Sequence, residues 1–136
     1  MPLTPLQTYS NAQLIPVYGQ ITPETVAVNI APSTTLAAGT VLGELTATPG
    51  TYKAYAAANT DGSQVPKGFL MYPVVTDANG NITNIGDFGM VLHTVPMFLS
   101  GSFKTASLTG MDAAGLTALG GHVISGTLAN GIVRIG

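Results

Sequence analysis

Two histidines, His93 and His122, are the side chains best suited to acid–base chemistry near neutral pH. A serine–histidine–aspartate set can be drawn from Ser102, His93 and Asp87, but a chain this rich in serine permits such a choice by chance. The sequence has no cysteine nucleophile, and it has no Gly-x-Ser-x-Gly motif of the kind that exposes a hydrolase serine. Each histidine lies within a strand-like run, which favours a structural role. The sequence therefore predicts that the protein is not an enzyme and has no catalytic residues.

A short run rich in aspartate and asparagine, residues 77–81, resembles the start of a calcium loop. An EF-hand would place a bidentate glutamate at the twelfth position, where this sequence has Phe88. Asn79-Gly80 is the pair that type I′ hairpin turns favour, so a tight turn explains the same residues without a metal. We therefore predict no metal site and no cofactor.

Ionised side chains are scarce. Only 7% of the 136 residues are charged, against about 25% in an average soluble domain, while 46% are hydrophobic. The four basic residues, Lys53, Lys67, Lys104 and Arg134, are scattered along the chain, so a patch for nucleic acid or for an anionic membrane is not expected. Two explanations stay open: the protein sits in an assembly that covers its surface, or hydroxyl and amide side chains keep a monomer soluble.

Residues 1–24 are interrupted by prolines, which disfavour a helix or a central strand. The same residues are too apolar for an inert disordered tail. We predict an extended N-terminal arm over residues 1–24, followed by one β-rich domain over residues 25–136. The arm docks either on a partner or on its own domain, and the apolar residues expected to make its contacts are Leu3, Leu6, Tyr9, Leu14 and Ile15.

Alternating or β-rich runs predict many short strands in the domain. A Pro49-Gly50 turn is expected to join two of them as a hairpin. Thr109 as N-cap and Asp112 three residues later predict one short helix over residues 111–119, ended by two glycines. The strands are expected at residues 26–30, 40–48, 51–57, 68–75, 89–94, 97–103, 122–126 and 132–135. The predicted fold class is mainly β with one short helix, as a sandwich or barrel.

The order of several short motifs resembles the lambda-type head decoration protein family of tailed phages. Residues 36–43, Leu-Ala-Ala-Gly-Thr-Val-Leu-Gly, lead through the Pro-Gly turn to Tyr52-Lys53-Ala54-Tyr55. Thr60-Asp61-Gly62-Ser63 and Gly68-Phe69-Leu70 come next, and Ser100-Gly101-Ser102-Phe103 is similar to a later family segment. The likeness covers residues 32–76 and 97–136, and the first 30 residues are similar only in forming an arm.

The resemblance implies a β-tulip domain that forms homotrimers on the outer surface of the mature phage head after synthesis in the host cytoplasm. The implied partners are the major capsid protein and other copies of this chain, with no nucleic acid and no membrane. In the family the N-terminal arm adds a strand to capsid segments, which is β-augmentation. The implied function is that of a cement protein that stabilises the virion.

Two other classes of function remain open from the sequence. One is a different virion structural protein, such as a tail or minor capsid component, which would share the low charge and the β content. The other is a small β module that binds a sugar or a peptide.

Overall fold

The computed structural model of the protein describes residues 13–17, 23–84 and 92–136. These residues form a mainly β fold with one short α-helix, as the sequence predicts. The elements in chain order are β1 (Thr25–Ile30), β2 (Thr35–Leu36), β3 (Val41–Glu44), β4 (Thr51–Ala54), β5 (Pro66–Leu70), β6 (Val74–Val75), β7 (Val95–Phe98), β8 (Gly101–Lys104), a 3₁₀ turn (Thr105–Ser107), α1 (Ala113–Ala118), β9 (His122–Gly126) and β10 (Gly131–Ile135).

Five strands close into a barrel in the order β1-β4-β3-β5-β7. Strand β1 closes it, because it runs parallel to β4 on one side and antiparallel to β7 on the other. Closure pairs the backbone groups that an open sheet would leave exposed at its edges. One core cluster consists of apolar side chains that are at most 4% exposed, most of them on the barrel strands: Val28, Ile30, Leu42, Leu70, Val74, Ile82, Val95 and Met97.

A second sheet, of order β8-β10-β9, packs on the barrel through aromatic side chains. Phe103 of β8 meets Phe69 of β5 edge to face, with ring centroids 5.0 Å apart, and lies 5.1 Å from Phe98 of β7. Both distances fall in the range that favours aromatic pairs. Val133 and Ile135 of β10 belong to the same cluster, so this second cluster joins the sheet to the barrel.

The predicted hairpin between β3 and β4 is confirmed, with Gly43 opposite Lys53 in its register. Gly50 adopts a φ of +88° at the turn, a conformation that a glycine reaches without steric cost. The Glu44 carboxylate accepts a hydrogen bond of 2.8 Å from the Gly50 N–H. Strand β3 ends at Glu44 and does not continue to Thr48 as the sequence predicts, because the Thr46 N–H donates to the Asp61 carbonyl, outside the hairpin.

Two long predicted strands are each divided. The run over residues 68–75 forms β5 and β6, and β6 leaves the barrel to pair with β2. The run over residues 97–103 forms β7 and β8, and Gly101 at a φ of +136° lies where the chain passes from the barrel into the second sheet. Alternation of apolar and polar residues does not reveal where the chain leaves one sheet and enters another, since the segments on both sides remain extended. The strand predicted at residues 89–94 lies partly outside the described residues.

The turn at Asn79-Gly80 is a hairpin turn of a different type from the one predicted. Gly80 has a φ of +83°, but Asn79 does not have the positive φ that a type I′ turn requires at both central positions. The Gly80 N–H donates to the Asp77 carbonyl at 3.1 Å, so Ala78 and Asn79 are the central residues. Asp77 decides the geometry, because its carboxylate accepts hydrogen bonds of 2.9 Å from the N–H groups of Asn79 and Asn81.

The helix α1 begins later than predicted. Asp112 is the N-cap, and its carboxylate accepts a 2.6 Å hydrogen bond from the Gly115 N–H. Thr109 is not the cap, because its N–H donates to the Gly39 carbonyl and it forms a bridge with Thr40. Both Thr and Asp are good capping residues, so the sequence alone does not separate them.

Candidate interaction surface

The segment of residues 13–17 lies against the domain. Leu14 donates its N–H to the Met71 carbonyl at 2.7 Å, and its side chain is only 3% exposed. That side chain belongs to the same core cluster as Phe69 and Phe103. Three residues later, the Val17 N–H donates to the Ser102 carbonyl at 2.7 Å, so the segment covers part of the edge of β8.

The predicted arm residues separate into three groups. Leu14 is buried in the core, and its neighbour Ile15 is 67% exposed. Leu3, Leu6 and Tyr9 lie outside the described residues. Within residues 13–17, therefore, the segment carries one side chain that anchors it and one that faces outwards.

A groove of about 600 Å³ opens between this segment and the domain. It forms where the segment leaves the edge of β8, beyond the contact between Val17 and Ser102. Among the described residues its lining is mostly small or apolar, and Lys104 is the one ionisable side chain there: Gln13, Leu14, Ile15, Pro16, Val17, Ala38, Lys104 and Ser107. The sequence gives no signal for this groove, because it depends on where the segment docks.

Other apolar side chains also reach the surface. Ile124 on β9 is 46% exposed, and Val26 on β1 is 40% exposed. Val65 is 46% exposed and Leu99 is 39% exposed. Single exposed apolar residues are ordinary in soluble proteins. This protein also has very few charged residues, so few ionised groups separate its exposed apolar side chains.

The loop of residues 60–63 has a structural role. The Asp61 carboxylate lies 2.6 Å from the Lys53 ammonium and accepts hydrogen bonds from the N–H and hydroxyl of Ser63. Lys53 first, and then Ser63, hold the pKa of Asp61 well below its usual range. The loop packs against β3, where a Cβ on Gly43 would lie 2.6 Å from backbone atoms of Ser63. The motif thus closes a turn over the barrel wall.

Two further carboxylates have structural partners. The backbone N–H groups of Asn81 and Asn79 lower the pKa of Asp77. The Tyr55 hydroxyl donates to Asp112 at 3.0 Å, and burial followed by this contact raises the pKa of Tyr55. These carboxylates stabilise a turn and a helix end. In the part of the chain that the structure describes, no group of three or more His, Asp or Glu side chains is placed to hold a metal ion.

The residues considered for catalysis do not form a site. Ser102 is 3% exposed in β8, where its carbonyl is paired with Val17. His93 precedes β7 and lines a different groove, of about 370 Å³, beside Asn29 and Asn79. No hydrogen bond joins Ser102 to His93 in the described chain, and Asp87 lies outside it. His122 lies on β9 with its Nε2 atom 2.9 Å from Nη2 of Arg134.

These features define a small, charge-poor β-barrel protein with apolar side chains at its surface. The family model for bacteriophage lambda head decoration protein D matches residues 12–93, which is more than half of the chain. The chain belongs to this family of phage head decoration proteins. No curated protein and no solved structure matches the chain.

Family membership confirms the resemblance seen in the sequence, although its range differs. The match includes residues 77–93, which the motifs leave outside the likeness, and it does not extend to residues 97–136. The prediction of a structural protein, not an enzyme, is also confirmed, because the family consists of head decoration proteins. The family implies a role in decorating the phage capsid and a location in the virion. No helix within the described ranges is long and apolar enough to cross a membrane.

Proposed function

We propose that the protein binds as homotrimers to the outer surface of the mature phage head and stabilises the expanded shell. The observation that carries the proposal is the family match over residues 12–93. The partner in this role is the major capsid protein. The β-tulip architecture implied by the resemblance belongs to the same proposal, and the closed barrel with its attached sheet supports it.

The surface of the protein favours contact with other protein copies. Within residues 13–17, 23–84 and 92–136, five large apolar side chains are at least 39% exposed, and only ten residues of the chain are of ionisable acidic or basic type (Asp, Glu, Lys and Arg). Burying apolar surface contributes roughly 25 cal/mol per Å² before ordering costs. An interface built from such residues gains free energy from burial and loses little from stripping water off charges.

We further propose that residues 1–24 act as a capsid-binding arm and residues 25–136 as a single domain. Residues 13–17 would then be the root of the arm, since Leu14 is anchored in the core. Leu3, Leu6, Tyr9 and Ile15 would provide its capsid contacts. An apolar segment interrupted by proline is suited to adding a strand at a sheet edge, because proline discourages pairing with its own kind.

Three arms per trimer raise the strength of attachment without any exceptionally strong single contact. A protein that binds only the expanded shell stabilises that state by mass action. The shell would then resist heat and internal pressure in proportion to how fully its sites are filled.

The proposal is tested with purified protein and with phage heads that lack it, prepared before and after expansion. We expect a trimer mass in sedimentation, cosedimentation with expanded heads only, and a higher melting temperature of the decorated heads. Open polymers of the protein would indicate a tail component, and a monomer that binds a soluble ligand but no heads would indicate a binding module. Either result would remove the proposal.

The arm is tested by deleting residues 1–12, which leaves Leu14 in place. We expect the shortened protein to melt at the temperature of the full chain and to bind expanded heads much more weakly. Full affinity of the shortened protein would show that residues 1–12 are not needed for capsid binding.

A further inference from the structure

We propose that Asn79 is a site of spontaneous covalent modification, at which its carboxamide becomes a carboxylate through a cyclic imide formed with the Gly80 backbone nitrogen. The same residue pair occurs again at Asn130-Gly131, where backbone and hydroxyl hydrogen bonds of the fold protect it. The inference does not depend on capsid binding, because it concerns the chemistry of this chain alone.

The two sites have the same local sequence. Each is an Ala-Asn-Gly tripeptide, at residues 78–80 and 129–131, and no other asparagine of the chain precedes a glycine. Glycine has no Cβ to shield its nitrogen, so attack on the preceding carboxamide meets little hindrance at such a pair. Both asparagines are exposed to solvent. A difference in rate between them in the folded protein therefore comes from the backbone around each pair.

The reaction needs water as its only co-reactant. The Gly80 nitrogen, after losing its proton, attacks Cγ of Asn79. The new N–Cγ bond closes the imide ring, and the Cγ–Nδ2 bond breaks to release ammonia. Water then opens the ring at either of its carbonyl groups. One opening gives aspartate and the other gives isoaspartate, in which the main chain passes through Cγ, and nothing is oxidised or reduced.

The backbone at Asn79 leaves room for this attack. Ring closure requires the peptide unit between Asn79 and Gly80 to rotate until the nitrogen lies over Cγ. One hydrogen bond opposes the rotation, from the Gly80 N–H to the Asp77 carbonyl at 3.1 Å, and no described group donates to the Asn79 carbonyl. A Cβ built on Gly80 would lie 3.6 Å or more from atoms beyond its chain neighbours, so the turn has space to change shape.

The backbone at Asn130 is held at both ends of the corresponding peptide unit. The Gly131 N–H donates to the Thr105 hydroxyl at 2.9 Å, and that hydroxyl donates in turn to the Gly131 carbonyl at 3.1 Å. The Asn130 carbonyl accepts a hydrogen bond from the Thr127 N–H at 3.3 Å. A Cβ on Gly131 would lie 2.2 Å from the Ser125 carbonyl oxygen, so neighbouring backbone also opposes rotation. The nitrogen that would attack is therefore both engaged as a donor and enclosed.

The product differs from the parent chain in charge. The chain has a formal charge of −2, and conversion of Asn79 makes it one unit more negative. The new carboxylate lies in the same turn as that of Asp77, which accepts hydrogen bonds from the N–H groups of Asn79 and Asn81. Two like charges so placed repel each other, so the modification weakens the turn in which it forms.

The test follows the purified full chain during incubation at body temperature and mildly alkaline pH, in native buffer and in denaturant. Peptide mass spectrometry measures conversion at each asparagine, and an isoaspartyl methyltransferase detects isoaspartate. In native buffer we expect Asn79 to react about tenfold faster than Asn130 or more, the factor that one additional hydrogen bond can supply. In denaturant the two rates should agree within about twofold, because the tripeptides are identical and the folded contacts are lost.

Three results would overturn the inference. The first is equal rates at the two sites in native buffer, or a faster reaction at Asn130. The second is the absence of conversion at Asn79 in native buffer when both sites react in denaturant. The third is aspartate at position 79 without isoaspartate, because direct hydrolysis of the side chain gives aspartate alone.

A matched pair of variants tests the cause of the protection. Thr105→Val removes the hydroxyl that holds Gly131 and keeps a similar side-chain shape. We expect it to raise the rate at Asn130 by about fivefold or more and to leave the rate at Asn79 unchanged. The control is Thr117→Val, which removes a hydroxyl that bonds only within α1 and should change neither rate. An unchanged rate at Asn130 in Thr105→Val would overturn the stated cause, and the comparison of native with denatured wild type does not depend on this variant.

Discussion

Replacing Leu14 by alanine tests whether the N-terminal segment is part of the folded domain. The side chain is 3% exposed and packs with the core aromatic residues, although it lies before the first barrel strand. Truncation of a buried leucine costs about 2–5 kcal/mol, according to how far the surroundings collapse into the space. Two backbone hydrogen bonds join residues 13–17 to the rest of the described chain, so the segment has some freedom to relax. We therefore expect a loss in the lower half of that range, about 2–3 kcal/mol.

A loss of this size is readily measured. For a chain of this length, each kcal/mol shifts the melting temperature by roughly 3–5 °C, so the expected fall is about 10 °C. Thermal unfolding is followed by circular dichroism at one fixed protein concentration, because assembly makes the melting temperature depend on concentration.

The adjacent residue provides the control. Ile15 is 67% exposed, so Ile15→Ala should change the free energy of unfolding by no more than about 0.5 kcal/mol. If Leu14→Ala melts at the same temperature as the wild type, the segment is not docked in solution, and the groove between it and the domain is not formed there. If the melting temperatures of both variants fall by several degrees, the Ile15 side chain also packs against the domain in solution and does not face outwards.

Three further predictions concern the domain. Gly39 and Gly50 both have positive φ, but a Cβ on Gly39 would strike the Ser107 carbonyl while one on Gly50 would meet nothing within 4 Å. Gly39→Ala should therefore lower the melting temperature far more than Gly50→Ala. Backbone strain alone should lower the free energy of unfolding of Gly50→Ala by about 1–2 kcal/mol. Asp112→Ala removes the helix cap and should lower the free energy of unfolding, measured by chemical denaturation, by about 1–2 kcal/mol. Asp112→Asn can still cap the helix and should lower it less. Because the pKa of Asp61 is lowered on folding, its stabilising effect is present above the usual aspartate pKa and is lost only as pH falls through the lower folded value. Asp61→Asn should thus melt below the wild type at pH 7 and still at pH 4, and the difference should narrow only in stronger acid.

The sequence predicts the short strands well where a turn residue is unambiguous. Gly50 in the β3–β4 hairpin and the run that forms β9 are examples, because local chemistry alone decides them. Prediction from the sequence fails where two local structures have similar free energy and a contact distant in the chain selects one of them. Thr109 and Asp112 are both good caps, and the pairing of Thr109 with Gly39 selects Asp112.

The candidate site was predictable only in part. The low charge and the apolar residues of the leader indicate a protein that binds other proteins, and both are properties of composition. The groove is different, because it arises where Val17 pairs with Ser102 and the chain then diverges. Those two residues are far apart in the chain, and no periodicity in either segment reveals that they meet.

The family match ends at residue 93, yet the fold depends on the remainder of the chain. Strand β7 begins at Val95 and joins β1 to β5, so the barrel closes only with residues beyond the match. Phe103 and Val133 then supply the core against which Leu14 packs. Residues of the matched region and of the unmatched region therefore pair in the same barrel and pack in the same cluster. The groove beside residues 13–17 combines Ile15 from the matched region with Lys104 from the unmatched one, so the family match alone does not describe it.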